Sequence, residues 1–187
     1  MQWSRLKKQV EAMFCDSLKG QVELRATRYR GTHDEEGKGW ITVDKEEIYD
    51  FCTMKWMRDY YGISNELRAI NRCTDHWNPE QRDGYYAAYD EADKIMNEKG
   101  NYSLNGYYRS LENYLSLSID DALGSEDILT RAIAMIDRRF GKRRIRAHEP
   151  RKTEHSLVKY MLELRCAADG IRRPDVIGNI DSKSGKR

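Results

Sequence analysis

The apolar positions of the chain change period as it runs, and the changes predict its elements. Trp3, Leu6, Val10, Met13 and Phe14 recur at helical spacing and draw one buried stripe. Ser4 can cap that helix, and Gly20 ends it. From Val22 to Thr27 apolar and polar residues alternate, the rule of a half-buried strand. Trp40–Val43 is a second β-rich run. Glu47–Phe51 reads either as a third strand after a tight turn or as a helix start capped by Asp44. The strand is favoured, because two strands alone are marginal.

Behind the strands the period becomes helical. Thr53 opens a segment through Tyr61 that Gly62 breaks, and Ser64 opens a short helix over Asn65–Arg72. Asn78 followed by Pro79 is a helix start, striped by Tyr85, Ala88, Tyr89, Ala92 and Met96 and stopped at Gly100. Ser103 opens a helix with Tyr107, Leu111, Tyr114 and Leu115 inward, and Ser118 caps one further turn. The clearest buried helix reads Glu126–Phe140, with Ser125 as its cap and Gly141 as a left-handed stop. Thr153 caps a last helix that ends at Gly170. The pattern predicts a single α+β domain over 1–170: an N-terminal helix, a small antiparallel meander, and a bundle of about five helices. From Ile171 the pattern dissolves, and 171–187 reads as a flexible C-terminal tail.

Charge changes this picture at one place. The net charge is only +2, so any basic surface is local. Between Arg138 and Lys152 stand eight cations against one acid, Glu149. Arg138, Arg139, Lys142, Arg143, Arg144 and Arg146 follow the buried helix directly, so the fold holds them and they do not float on a tail. They form a candidate basic face for a nucleic acid or an acidic protein. The competing reading is a solvated charge run that caps the helix end and pairs with nearby carboxylates.

The four cysteines, Cys15, Cys52, Cys73 and Cys166, form no C-x-x-C pair and read as free thiols of a reducing compartment. No apolar run approaches a membrane span, and the first residues lack an apolar leader core. A cytoplasmic protein is the expectation. Twelve tyrosines against three phenylalanines predict a small core with wet edges.

Taken together, Trp3-Ser-Arg-Leu-Lys7, Val22-Glu-Leu-Arg25 with Tyr29-Arg30, Gly39–Asp44 and Asp137–Arg144 resemble an uncharacterised family of short bacterial proteins. The resemblance covers the chain nearly to Gly170. It implies a bacterial, cytoplasmic, single-domain protein and carries no activity, cofactor or catalytic residue.

The chemical motifs are sparse. Cys73, Asp75 and His76 lie within four residues, and His33–Glu36 is an acidic cluster, but neither has a second ligand pair at a metal-site spacing. Glu36-Gly-Lys38 and Asp181-Ser-Lys183 have the carboxylate-x-lysine form of a metal-dependent nuclease. Chance alone supplies about two such triples in a chain so rich in acids and lysines. His148 and His155 flank Pro150 and could serve as acid or base, although histidines on a polar connection are more often solvated. No nucleophile motif and no phosphate loop is present, so no catalytic, cofactor or metal residue is assigned. Arg25, Arg28 and Arg30 around Tyr29 could track a phosphate backbone while the ring stacks on a base; alternation alone also exposes them.

The leading expectation is therefore a non-enzymatic binding protein. The alternatives are a metal-dependent phosphodiesterase using Glu36 and Lys38, and a structural or oligomerisation module joined through paired tyrosines such as Tyr60-Tyr61, Tyr85-Tyr86 and Tyr107-Tyr108.

Overall fold

A computed structural model describes residues 2–31 and 36–172. The first helix, α1 (Trp3–Glu11), buries Leu6 and Val10 and ends earlier than Gly20, because Ala12 to Phe14 turn into a 3-10 segment at Asp16–Leu18. Its N-cap is Gln2, not Ser4, and no side chain caps it. Three strands follow: β1 (Val22–Arg28), β2 (Gly37–Val43) and β3 (Glu46–Cys52). They form an antiparallel meander in the order β1-β2-β3, and the predicted third strand is present. Leu24 pairs with Ile41, and Ile41 with Tyr49, so one sheet face is apolar. A register shift after Ile41 leaves Ile48 as the extra residue of a bulge. The β2–β3 connection is two residues, Asp44 and Lys45, both at positive φ (51° and 72°) as a tight hairpin turn requires.

Seven helices complete the described chain: α2 (Thr53–Ile70), α3 (Arg82–Glu98), α4 (Leu104–Ser116), α5 (Ile119–Gly124), α6 (Ile128–Met135), α7 (Lys142–Ala147) and α8 (Ser156–Asp169). Five of them have eight or more residues; α5 and α7 have six each. The core gathers the apolar sheet face, α1, α4, α6 and α8. Every residue of α6 is buried. β2 comes so close to α4 that a Cβ on Gly39 would stand 2.4 Å from the Tyr107 ring, which fixes glycine there.

Several expected boundaries move, each for a tertiary reason. Gly62 does not break α2: the helix runs through it and through Ser64, whose hydroxyl donates back to the Tyr61 carbonyl. An interior glycine costs a helix about 1 kcal/mol, and α2 carries that cost while packed against α3. Thr53 is the first residue of α2, with Cys52 as cap, and its hydroxyl accepts from Leu104 N and ties α2 to α4. The Asn78-Pro79 signal opens a turn rather than the helix. The Asn78 carboxamide accepts from Glu80 N, and α3 begins at Arg82.

The long buried helix expected over Glu126–Phe140 is eight residues, capped by Asp127. It stops at Met135 where the next residues pair with the segment that follows α1. Cys15 N donates to Ile136 O (2.9 Å), and Arg138 N donates to Met13 O (2.8 Å). Gly141 (φ −71°) is the N-cap of α7, not a left-handed stop. His155 rather than Thr153 caps α8, and Gly170 ends it at φ 65°. Ile171, placed by its sequence in the tail, is buried and donates to Cys166 O; positions 173–187 lie outside the described residues.

Candidate functional site

The six expected basic-face residues divide into two sets. Three of them are tied. Arg139 folds back so that its guanidinium donates twice to Asp137 Oδ2 (2.9 and 2.7 Å) and once to the Leu117 carbonyl (3.0 Å). Lys142 donates to Asp169 O at 3.2 Å and stands 3.8 Å from its carboxylate. Arg144 is paired with Asp120. Beyond the six, Arg151 is held by Glu126 and the Gly124 carbonyl.

The other three are Arg138, Arg143 and Arg146, exposed and without an ion pair to a described residue. Arg143 and Arg146 lie three apart on α7, hence on one side of it, and buried Ile145 pins that helix to the core. Arg138 is fixed through its backbone bond to Met13. Its charge reaches Asp16, whose carboxyl sits below the usual range mainly because Lys19 donates to it. On the six-residue α7, Lys142 and Arg143 stand in the first turn, the end a helix dipole makes unfavourable for cations, while Arg144 and Arg146 stand in the last turn, where it favours them.

The remaining sequence candidates are placed as follows. Arg25 pairs with Glu23. The Tyr29 hydroxyl meets Cys52 Sγ at 3.3 Å, and that contact, with burial, pushes the phenol up to about 12. Lys38 is clasped by both oxygens of Glu47 (2.6 and 2.7 Å) rather than left free beside Glu36. Cys73, Asp75 and His76 lie in the α2–α3 connection, where Asp75 accepts from Trp77 N and His76 packs on Trp77 and Tyr85. Among the described residues no three histidine, cysteine or acidic side chains converge on a metal position. His33, Asp34, Glu35 and the Asp181–Lys183 triple lie outside the described residues.

His148 and His155 are both half-buried rather than solvated. His148 meets the Phe140 ring edge-on at 5.4 Å. His155 Nδ1 accepts from Leu157 N (3.2 Å) as the cap of α8. Burial is the main cause that lowers its pKa, and the Arg131 guanidinium acts the same way against Glu154 and the Lys99 backbone. A depressed histidine pKa means the unfolded chain takes up the proton first. The stability from neutral His155 is full above about 6.5 and falls as pH drops below it. Urea unfolding at about pH 7.5 and about pH 5.5 should show a larger loss for the parent than for His155→Asn, which keeps a capping acceptor without titrating. Equal losses would remove His155 as the cause.

Two features escaped sequence reasoning. The first is the α2–α3 hairpin. Met54, Tyr61, Ile70, Trp77 and Tyr86 are exposed on it, and Tyr160 on α8 is the other large apolar residue exposed among those described. Buried Arg68 lies between the Tyr85 and Tyr89 rings, 4.4 and 4.6 Å from their centroids. The expected tyrosine pairs are thus split: Tyr60-Tyr61 and Tyr85-Tyr86 are on this hairpin, while Tyr107 is in the core. Within each pair one ring faces water, Tyr61 and Tyr86, while Tyr60, Tyr85 and Tyr89 are half-buried, a division the tyrosine spacing alone did not give.

The second feature is a pair of clefts on either side of α4, of about 550 and 460 Å³, both lined by Asn105 and Arg109. Their walls come from segments scattered between Gln2 and Asp127, so no linear motif announces them.

No helix among the described residues is long and apolar enough to cross a membrane. One family model, that of the SF0329 protein family, matches residues 2–166. No curated protein and no solved structure matches the chain.

Proposed function

We propose that this chain, which belongs to the SF0329 protein family, is a non-enzymatic binding protein that takes an acidic protein partner on Arg138, Arg143 and Arg146. The family match spans all three residues and stops before 167–187, so the reading does not draw on the tail. The observation that carries it is that these three arginines are exposed and lack ion pairs to described residues, while Arg139, Lys142 and Arg144 beside them are each paired with an aspartate.

The number of free charges favours a protein over a nucleic acid. Three phosphate contacts correspond to a salt slope of about −2.7, far short of the 6–10 contacts that typically give strong DNA binding. The exposed aromatics of the α2–α3 hairpin support the same class, since tyrosine, tryptophan and arginine are enriched where proteins meet. Four free cysteines suit a reducing cytoplasm as the working place.

The test is a salt titration with two probes, an acidic peptide and duplex DNA. The peptide should bind at low salt, and Arg143→Glu with Arg146→Glu should weaken it by about tenfold or more. Steeper salt dependence and tighter binding for DNA would move the partner to nucleic acid. No binding of either probe at low salt ends the reading.

A further inference from the structure

We propose that the cleft holding Arg28 and Arg109 binds the phosphate of a nucleoside monophosphate, with the base lying toward Trp56 across α4. This goes beyond the protein-docking reading and uses other residues. The cleft, about 460 Å³, is walled by the start of α1, the end of β1 and the outer face of α4. Arg28 and Arg109 both line it, and neither hydrogen-bonds nor ion-pairs with a described residue. Many arginines of this chain are engaged: Arg25, Arg58, Arg131, Arg139, Arg144, Arg151 and Arg165 all have acidic partners. Two left free in one concavity are an anion-recognising arrangement, because planar guanidinium forks match phosphate oxygens. Glu112 stands on the same wall, so the cleft keeps one net positive charge. Trp3 and Tyr108, stacked at 5.2 Å and 28°, line it as well.

The position of Arg109 extends the site. With Asn105 it also lines the second cleft, of about 550 Å³, whose walls include Trp56, Tyr102 and Asn97 and the carboxylates of Asp93, Glu126 and Asp127; Glu126 is paired with Arg151, and Asp127 accepts from Ser110 and from Thr130 N. A ligand anchored by phosphate at Arg109 can therefore reach an aromatic wall and the amides of Asn97 and Asn105, which offer donors and acceptors to a base edge. Both volumes fall in the range of small-molecule sites.

The full chain should be titrated at low salt with adenosine 5′-monophosphate, inorganic phosphate and adenosine, by calorimetry. The expected result is binding of the nucleotide, competition by inorganic phosphate, and at least about tenfold weaker binding of adenosine. Arg28→Gln and Arg109→Gln should each weaken the nucleotide by about tenfold, and Trp56→Ala should weaken the nucleotide but not phosphate. Both arginines are exposed, so the variants should keep the parent's circular dichroism and unfolding midpoint. Arg143→Glu should bind the nucleotide as the parent does, which separates this site from the docking edge. No nucleotide binding at millimolar concentration overturns the proposal. So does adenosine binding as tightly as the nucleotide, or binding that survives the Arg28→Gln, Arg109→Gln double variant.

Discussion

Replacing Glu154 by alanine lowers the unfolding free energy by about 3–5 kcal/mol, measured by urea unfolding. Glu154 and Arg131 are both almost fully buried, with side chains 3% and 6% exposed. The guanidinium donates to Glu154 Oε1 from Nε (3.3 Å) and Nη2 (3.0 Å), and its remaining nitrogen donates to the Ser125 carbonyl. Glu154 Oε1 also accepts from His155 N at 3.1 Å, next to the cap of α8. Deleting the carboxylate leaves a cation in the interior with one carbonyl for company. That penalty is large against a total stability of about 5–15 kcal/mol. The pair itself need not be strongly stabilising, since desolvating two ions offsets much of their attraction. The double change Arg131→Met, Glu154→Leu should therefore recover most of the loss. A double variant as unstable as Glu154→Ala would show that the ion pair, not the orphaned charge, is what matters.

Asp137→Ala should cost a similar amount, about 3–5 kcal/mol, and should also disturb the proposed docking edge. Asp137 is fully buried in the turn between α6 and α7. It accepts from Arg139 N (2.7 Å), from two nitrogens of the Arg139 guanidinium, and from the Tyr114 hydroxyl. Burial, then the Asp137 carboxylate, holds the Tyr114 phenol well above its ordinary pKa, so it remains a donor. Asparagine at position 137 keeps acceptors and loses the charge, and should cost about 1–3 kcal/mol. Tyr114→Phe and Asp137→Ala should combine less than additively, because they remove one shared bond. Binding of the acidic peptide should change with Asp137→Ala, since the segment that fixes Arg138 is anchored by the same turn. Full additivity with Tyr114→Phe would contradict the shared network.

Some of this was legible in the residues alone. The meander followed from alternation in Val22–Thr27 and from the β-rich run Trp40–Val43, because alternating residues turn one side of a strand to the core and β-branched and aromatic residues suit a pleated surface. The starts of α4 and α5 followed from Ser103 and Ser118, whose hydroxyls accept from Gly106 N and Asp121 N. These are local bonds, and local chemistry fixes them. The end of α6 was not legible. Leu129, Ile133, Ile136 and Phe140 keep a helical stripe past Met135, and nothing nearby in sequence says that Met13 and Cys15 compete for the same backbone groups.

What the residues determined by themselves is the α+β class, the three-stranded meander and a run of cations just beyond a buried segment. What only the folded molecule decided is which of those cations are available. Arg139, Lys142 and Arg144 were taken by Asp137, Asp169 and Asp120, two of them more than twenty residues away in sequence, while Arg138, Arg143 and Arg146 were left outward. The same holds for Arg28 and Arg109, some eighty residues apart, which share a cleft once β1 and α4 have packed. Periodicity records which face of an element is apolar; the partner of a charge depends on distances that the chain acquires only when its elements meet.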